Sequence, residues 1–204
     1  MADKRYPVIT ITRQYAAYGR TVAKKLAERM QLPFYDRDVI RKAAEQSGFS
    51  FEEIAQEGED IGRGSRILNS ILNSSAAYSS SHDQIFEAEK HVIIDFAKSG
   101  PCIIVGRCAT QILKEAGIPA IDVLLYGEID ARCHHALELG EYGRMDVKRY
   151  VARRDALRAT FCKTYTGADI WDVENYDLCL DSCLLGPDTC VDIIERVLNN
   201  YDQR

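Results

Sequence analysis

Residues 7–36 read PVITITRQYAAYGRTVAKKLAERMQLPFYD, and their pattern decides the fold. Pro7 to Thr12 is β-branched and opens on proline, the composition of a strand. From Gly19 to Met30 the apolar residues Val22, Ala23, Leu26, Ala27 and Met30 recur at helical spacing. Leu32 to Tyr35 is a short second strand that ends at Asp36, and Val39, Ile40, Ala43 and Ala44 mark a second helix. A chain that opens strand, helix, strand, helix is expected to build a parallel α/β sheet.

Further along, the pattern continues after a change of character. Between Ser47 and Ser81, Ser50 and Glu53 can form a capping box, followed by Gly58, Gly62, Gly64 and a serine-rich stretch, which reads as an insertion. Ser81 and Gln84 can cap a helix over about 82–98 that Gly100 and Pro101 stop. Cys102 to Val105 is continuously apolar, as a strand covered on both faces should be, and ends at Gly106 and Arg107. A helix to about Ala116, a fourth strand over Ala120 to Tyr126, helices over about 130–139 and 145–163, a fifth strand near Leu178 to Leu180 and a last helix over about 188–198 complete the pattern. Asn175 to Asp177 reads as the start of the fifth strand and Ser182 to Gly186 as a loop.

The chain has 204 residues, 46% hydrophobic and 28% charged, enough for one globular domain, or one domain with a sizeable insertion. With 26 basic and 31 acidic residues the net charge is -5, so neither nucleic acid nor an anionic membrane surface is an expected partner. The longest apolar stretches, Cys102 to Val105 and Val123 to Tyr126, fall far short of the roughly 20 residues that span a bilayer. Met1 to Tyr6 is polar and lacks a signal-peptide pattern, which points to a cytoplasmic protein. Seven cysteines without a CxxC pair read as reduced thiols. His134 and His135 follow Cys133, but adjacent helical residues point in different directions, so no metal site is expected there.

Charge is unevenly placed. From Arg144 to Lys163 seven basic residues stand against two acidic ones, whereas from Asp36 to Asp60 eight acids stand against three bases. Arg149, Arg153, Arg154 and Arg158 recur at helical intervals and are expected to share roughly one side, where an anion would relieve their repulsion. The loop Arg13 to Thr21, between the first strand and first helix, is the usual place for phosphate in such a sheet. Against the pattern GxxxxGK[ST], Gly19 fits the second glycine, Arg20 the lysine and Thr21 the magnesium ligand, while Gln14 stands where the first glycine would be. Ala17, Tyr18, Gly19, Arg20 and Thr21 are thus candidates to hold phosphate. An ordinary strand-to-helix turn is the other reading of this loop.

Beyond these features, the runs ITRQYAAYGRTVAKKLAERMQLPFYDRDVI, GPCIIVGRCA, RRDALRATFCKTYTG and ENYDLCLDS resemble the cytidylate kinase-like family, a divergent branch of the P-loop nucleoside monophosphate kinases. The typical opening there is ITISREYGSGGR, and Ala16, Ala17 and Tyr18 replace its glycine-rich portion. The resemblance implies a P-loop NTPase-like three-layer α/β fold over 1–204: a five-stranded parallel sheet, a helical acceptor-binding insertion over 37–99 and a helical lid over 127–170. It implies ATP and Mg²⁺ as cofactors, small-molecule nucleotides as partners, and phosphoryl transfer to a nucleoside monophosphate, CMP or dCMP first. On that basis Arg20, Arg154 and Arg158 are the expected catalytic residues, with Thr21 on the metal. Asp36, Arg37, Arg41, Arg107 and Asp155 are the expected acceptor-side residues. A salt bridge is the alternative role for Arg107 and a helix cap for Asp36. Rival readings are a nucleotide-binding regulatory module without turnover and a kinase for another small acceptor. A dinucleotide-binding oxidoreductase is disfavoured because no GxGxxG follows the first strand. Ile67, Leu68, Ile71 and Leu72 suit either a helix packed on a partner subunit, giving a homodimer, or an amphipathic core helix.

Overall fold

The computed structural model describes residues 7–36 and 79–201. Strand β1 (Val8–Arg13) leads into helix α1 (Gly19–Met30) and β2 (Phe34–Tyr35). Then come α2 (Ser79–Ser99), β3 (Ile103–Val105), α3 (Ala109–Glu115), β4 (Ala120–Tyr126), α4 (Ile129–Leu139) and α5 (Val147–Thr166). A single 3-10 turn (Val173–Asn175) precedes β5 (Leu178–Asp181), the short α6 (Ser182–Leu185) and α7 (Pro187–Asn199). The strands pair in parallel in the order β2-β3-β1-β4-β5. The helix expected over 39–44, the capping box at Ser50 and Glu53, the apolar set at 67–72, and both Arg37 and Arg41 lie outside the described residues.

Alternation along the strands builds two cores. Ile9 and Ile11 of β1, with Ile103, Val105, Ile121, Val123 and Leu125, face α1 and α7 through Val22, Leu26, Val191 and Ile194. Val8, Ile104 and Cys102 face α2, α3 and the end of α5 through Ile93, Phe96, Ile112, Leu113 and Phe161. The result is three layers, helices on both sides of the sheet, as the apolar strands require. Thr10 sits on the second face, where its hydroxyl bonds Thr110 at 2.6 Å and donates to Asp122, so these two buried hydroxyls are satisfied.

Helix ends follow local chemistry. Asp146 caps α5 by accepting from the Arg149 N–H at 2.9 Å, and Gly167, at φ +69°, closes its C-terminus. Glu128 caps α4 through the Asp130 and Ala131 amides. Two local expectations are corrected. Residues 173–175 form a 3-10 turn because Asp172 accepts from the Glu174 N–H at 3.1 Å, which delays β5 to Leu178. The stretch expected as a loop after β5 starts with α6, whose first amides, Cys183 and Leu184, bond the Asp181 carboxylate.

Candidate functional site

The loop that links β1 to α1 crosses the C-terminal end of the sheet. Ala16 (φ +60°) and Tyr18 (φ +53°) hold left-handed conformations, each costing a non-glycine residue about 1–2 kcal/mol. Neighbouring side chains offset that cost. Arg132 Nη1 donates to the Tyr15 carbonyl at 3.3 Å, His135 Nδ1 bonds the Ala16 carbonyl at 2.9 Å, and Ser182 Oγ donates to the Ala17 carbonyl at 2.6 Å. The Tyr18 ring stacks on His135 with centroids 3.8 Å apart. Because C=O and N–H of one peptide unit point opposite ways, the amides of Ala16, Ala17 and Tyr18 turn away from these braces, and that of Ala17 donates to the Gln14 carbonyl at 3.3 Å. They lie next to the first-turn amides of α1, which precede its first intrahelical bond, from the Val22 N–H to the Tyr18 carbonyl at 2.9 Å. At the missing first glycine, Gln14 instead accepts the Gly127 N–H through Oε1 at 3.1 Å and ties the loop to the end of β4.

Beside this loop, between the ends of β1 and β3 and beneath α5, opens a cleft lined by Arg13, Arg107, Arg154, Arg158, Phe161 and Ile170, among others. Arg107 follows Gly106 in a turn where Gly106, Arg107 and Cys108 all have positive φ. Its Nη2 donates to the fully buried Glu89, and its guanidinium lies 4.8 Å from the Phe161 ring centroid. Burial pushes the Glu89 carboxyl above its usual range, and Arg107 pulls it the other way with less effect. Arg154 and Arg158 rest against the Tyr15 ring at 5.4 and 5.6 Å, and Arg158 Nη1 is 3.7 Å from Asp155. Tyr15 donates its phenol to Glu141 at 2.8 Å, and burial and that carboxylate push its pKa up, so it remains a protonated donor. Guanidinium groups gathered in a partly enclosed cleft suit an anion with several oxygens, which they bind with paired hydrogen bonds.

The structure brings some expected residues together and separates others. Arg107, Arg154 and Arg158 meet at the cleft, while Arg149 is exposed: at 100° per residue it lies half a turn from Arg158, so the arginines do not share one face. Arg20 is 56% exposed and pairs with Asp36, Nε to Oδ2 at 3.3 Å, so these two meet at the β2 edge. Asp155 accepts the Tyr15 N–H at 2.6 Å and pairs with the buried Arg132, which joins α5 to α4 and the loop. Neither Asp36 nor Arg107 is unaccompanied. Sequence reasoning missed Arg13, Tyr15, Arg132 and Ser182 as site builders, and weighed His135 only as a metal ligand. His134 is exposed and His135 faces the loop, as adjacent helical residues should.

The loop fits the phosphates of a nucleotide, since the carbonyls of Tyr15, Ala16 and Ala17 are occupied and the amides of Ala16 and Tyr18 are turned to the other side. Among the described residues no group of three or more His, Cys, Asp or Glu forms a metal cage. Thr21, exposed on the first turn of α1, suits a metal held mainly by phosphate oxygens and water. All seven cysteines are free thiols. No helix among the described residues is long and apolar enough to cross a membrane.

Comparison with known proteins places these features in a family. The cytidylate kinase-like family model matches residues 8–183. A cytidylate kinase of Methanocaldococcus jannaschii is 24% identical over 194 residues, covering 95% of this chain and 98% of that protein. Among solved structures, an uncharacterized protein from Eubacterium ventriosum superposes with a TM-score of 0.68 at 22% identity, covering 96% of this chain and 99% of the other. A shikimate kinase from Bacteroides thetaiotaomicron superposes at 0.58 with 14% identity, covering 95% and 98%, which extends the likeness of fold to P-loop kinases. On the family match, over most of its length, the chain belongs to the cytidylate kinase-like family.

Proposed function

We propose that the protein transfers the γ-phosphoryl group of ATP to a nucleoside monophosphate, with CMP or dCMP the first acceptors to test. The observation that carries this reading is the arginine-lined cleft set between a braced phosphate loop and α5. Phosphoryl transfer spreads charge over three equatorial oxygens, and its catalysis is mainly positioning and electrostatic stabilisation, so guanidinium groups rather than a strong base are what it needs. The Ala16 and Tyr18 amides and the first-turn amides of α1 hold the donor phosphates. Arg154 and Arg158, on one helix and steadied by the Tyr15 ring, clamp the transferred group. Arg107, fixed by Glu89 and Phe161, holds the acceptor phosphate, and Asp36 follows β2, the strand next to the one that Arg107 follows. Asp155 positions the lid helix against the loop through the Tyr15 N–H. Mg²⁺, when bound with the nucleotide at Thr21, neutralises phosphate charge.

The test is ADP formation from ATP and Mg²⁺ with CMP, dCMP, UMP, AMP, shikimate or no acceptor, for the wild type and Arg154→Ala. Acceptor-dependent turnover that falls by about 10³ or more in the variant is expected. A second reading, a binding module without turnover, is favoured by Ala16 and Tyr18 in left-handed positions. It predicts ATP binding with no ADP formation for any acceptor.

A further inference from the structure

We propose that Arg13, the last residue of β1, is a phosphate-binding residue of the cleft and takes over the task that the loop lysine performs in a GxxxxGK loop. The inference rests on the phosphoryl-transfer reading and adds a residue to it. Arg20, in the lysine position, is more than half exposed and engaged with Asp36 at the β2 edge, away from the cleft lining. Arg13, by contrast, lines the same cleft as Arg107, Arg154 and Arg158.

Two glycines make room for it. A Cβ on Gly19 would stand 2.5 Å from Arg13 Cγ and 2.7 Å from its Cβ, and one on Gly106 would stand 1.9 Å from Nη1. Real Cβ atoms do not come so close to other heavy atoms. Gly19 opens α1 without a positive φ, so the passage of the Arg13 stem, not backbone conformation, requires glycine there. Gly106 sits at the end of β3, where its N–H bonds the Ile11 carbonyl at 3.1 Å, and the guanidinium of Arg13 lies against it. The arginine side chain thus runs from the loop glycine to the turn that carries Arg107. A planar fork placed there can bind two oxygens of one phosphoryl group as it passes between donor and acceptor.

The test is titration of ATP and ADP into the wild type, Arg13→Gln, Arg13→Lys and Arg20→Gln by calorimetry, with melting curves as the folding control. Arg13→Gln is expected to weaken ATP at least about tenfold, the size of a charge-assisted hydrogen bond, and ADP by less than about threefold. Arg13→Lys should fall between wild type and Arg13→Gln, and Arg20→Gln should leave ATP within about threefold. A melted Arg13→Gln leaves the decision to Arg13→Lys and Arg20→Gln. ATP affinity insensitive to Arg13, a larger loss at Arg20, or no ATP binding by the wild type overturns the proposal. Failure of the kinase reading shows differently: the wild type binds ATP, with the Arg13 dependence, yet forms no ADP with any acceptor.

Discussion

The claim that Gly106 is kept clear for Arg13 can be measured as a coupling. Gly106→Ala carries one cost in any background, because a left-handed backbone at φ +76° burdens an alanine with about 1–2 kcal/mol. It carries a second cost only where Arg13 is present. The new methyl would stand 1.9 Å from Nη1 and 3.0 Å from Cζ, against an ordinary carbon contact of about 3.5–4.0 Å, so the guanidinium must move. Nη1 is the far end of a flexible side chain, so the shift costs only the contacts that the guanidinium gives up, about 0.5–1.5 kcal/mol. A double-mutant cycle separates the two. In urea unfolding, Gly106→Ala is expected to cost about 1.5–3.5 kcal/mol in the wild type and about 1–2 kcal/mol in Arg13→Ala, a coupling of about 0.5–1.5 kcal/mol. Equal costs in the two backgrounds would refute the reasoning, since they would mean that Gly106 answers only to its own dihedral angle.

Other outcomes follow from the same structure. The Glu89 carboxyl is held above its ordinary 4.5 by burial, so the folded state binds its proton more tightly than the unfolded one. That contribution to stability is complete below pH 4.5 and is lost as pH rises through the folded-state value, and the wild-type-minus-Glu89→Gln difference in urea midpoint should fall over that window. Asp155→Ala leaves Arg132, 7% exposed, without its carboxylate, and should cost about 3 kcal/mol in chemical denaturation, with Asp155→Asn costing less. His135→Ala removes the Tyr18 stack and the bond to the Ala16 carbonyl, about 1–3 kcal/mol together, whereas Tyr18→Gly loses the stack but relieves a left-handed tyrosine. Tyr18→Gly should therefore show the smaller drop in melting temperature.

How far the site could be read beforehand depended on whether its parts were local. Helix α1 starts and stops where its periodicity says, at Gly19 and Met30, because Val22, Ala23, Leu26 and Ala27 form one buried face. The strands β1 and β4 were equally plain, since apolar β-branched runs between turns have few other uses. Arg107, Arg154 and Arg158, which the family resemblance picked out, line one cleft. Arg13 was passed over since it looked like the edge of a loop; the glycines that betray it are six and 93 residues away, and only folding sets them on its two sides. Asp155 and Arg20 were read as ligand-facing, yet their partners, Arg132 and Asp36, come from other elements, and sequence spacing carries no trace of such pairing. The placement of four arginines on one helical face failed on arithmetic: intervals of four, one and four residues sweep half a turn.

The deepest departure from the family pattern lies in what shapes the loop between β1 and α1. A loop rich in glycine takes up left-handed angles without steric cost and so depends little on its surroundings. Here Ala16 and Tyr18 take up those angles at about 1–2 kcal/mol each, and the loop stays in place because other elements hold it. Three side-chain bonds to carbonyls, at about 0.5–1.5 kcal/mol each, and one aromatic stack are of the right size to offset that strain. Two of those bonds come from α4, and the Arg132 that makes one of them is itself fixed by Asp155 of α5. The same α5 bears Arg154 and Arg158 one position before and three positions after Asp155. The helix that carries Arg154 and Arg158 and the loop beside them therefore share an anchor, and a displacement of α5 that carried Asp155 away would remove support from the loop as it withdrew the two arginines. In this chain Arg132 and Asp155 join the two events.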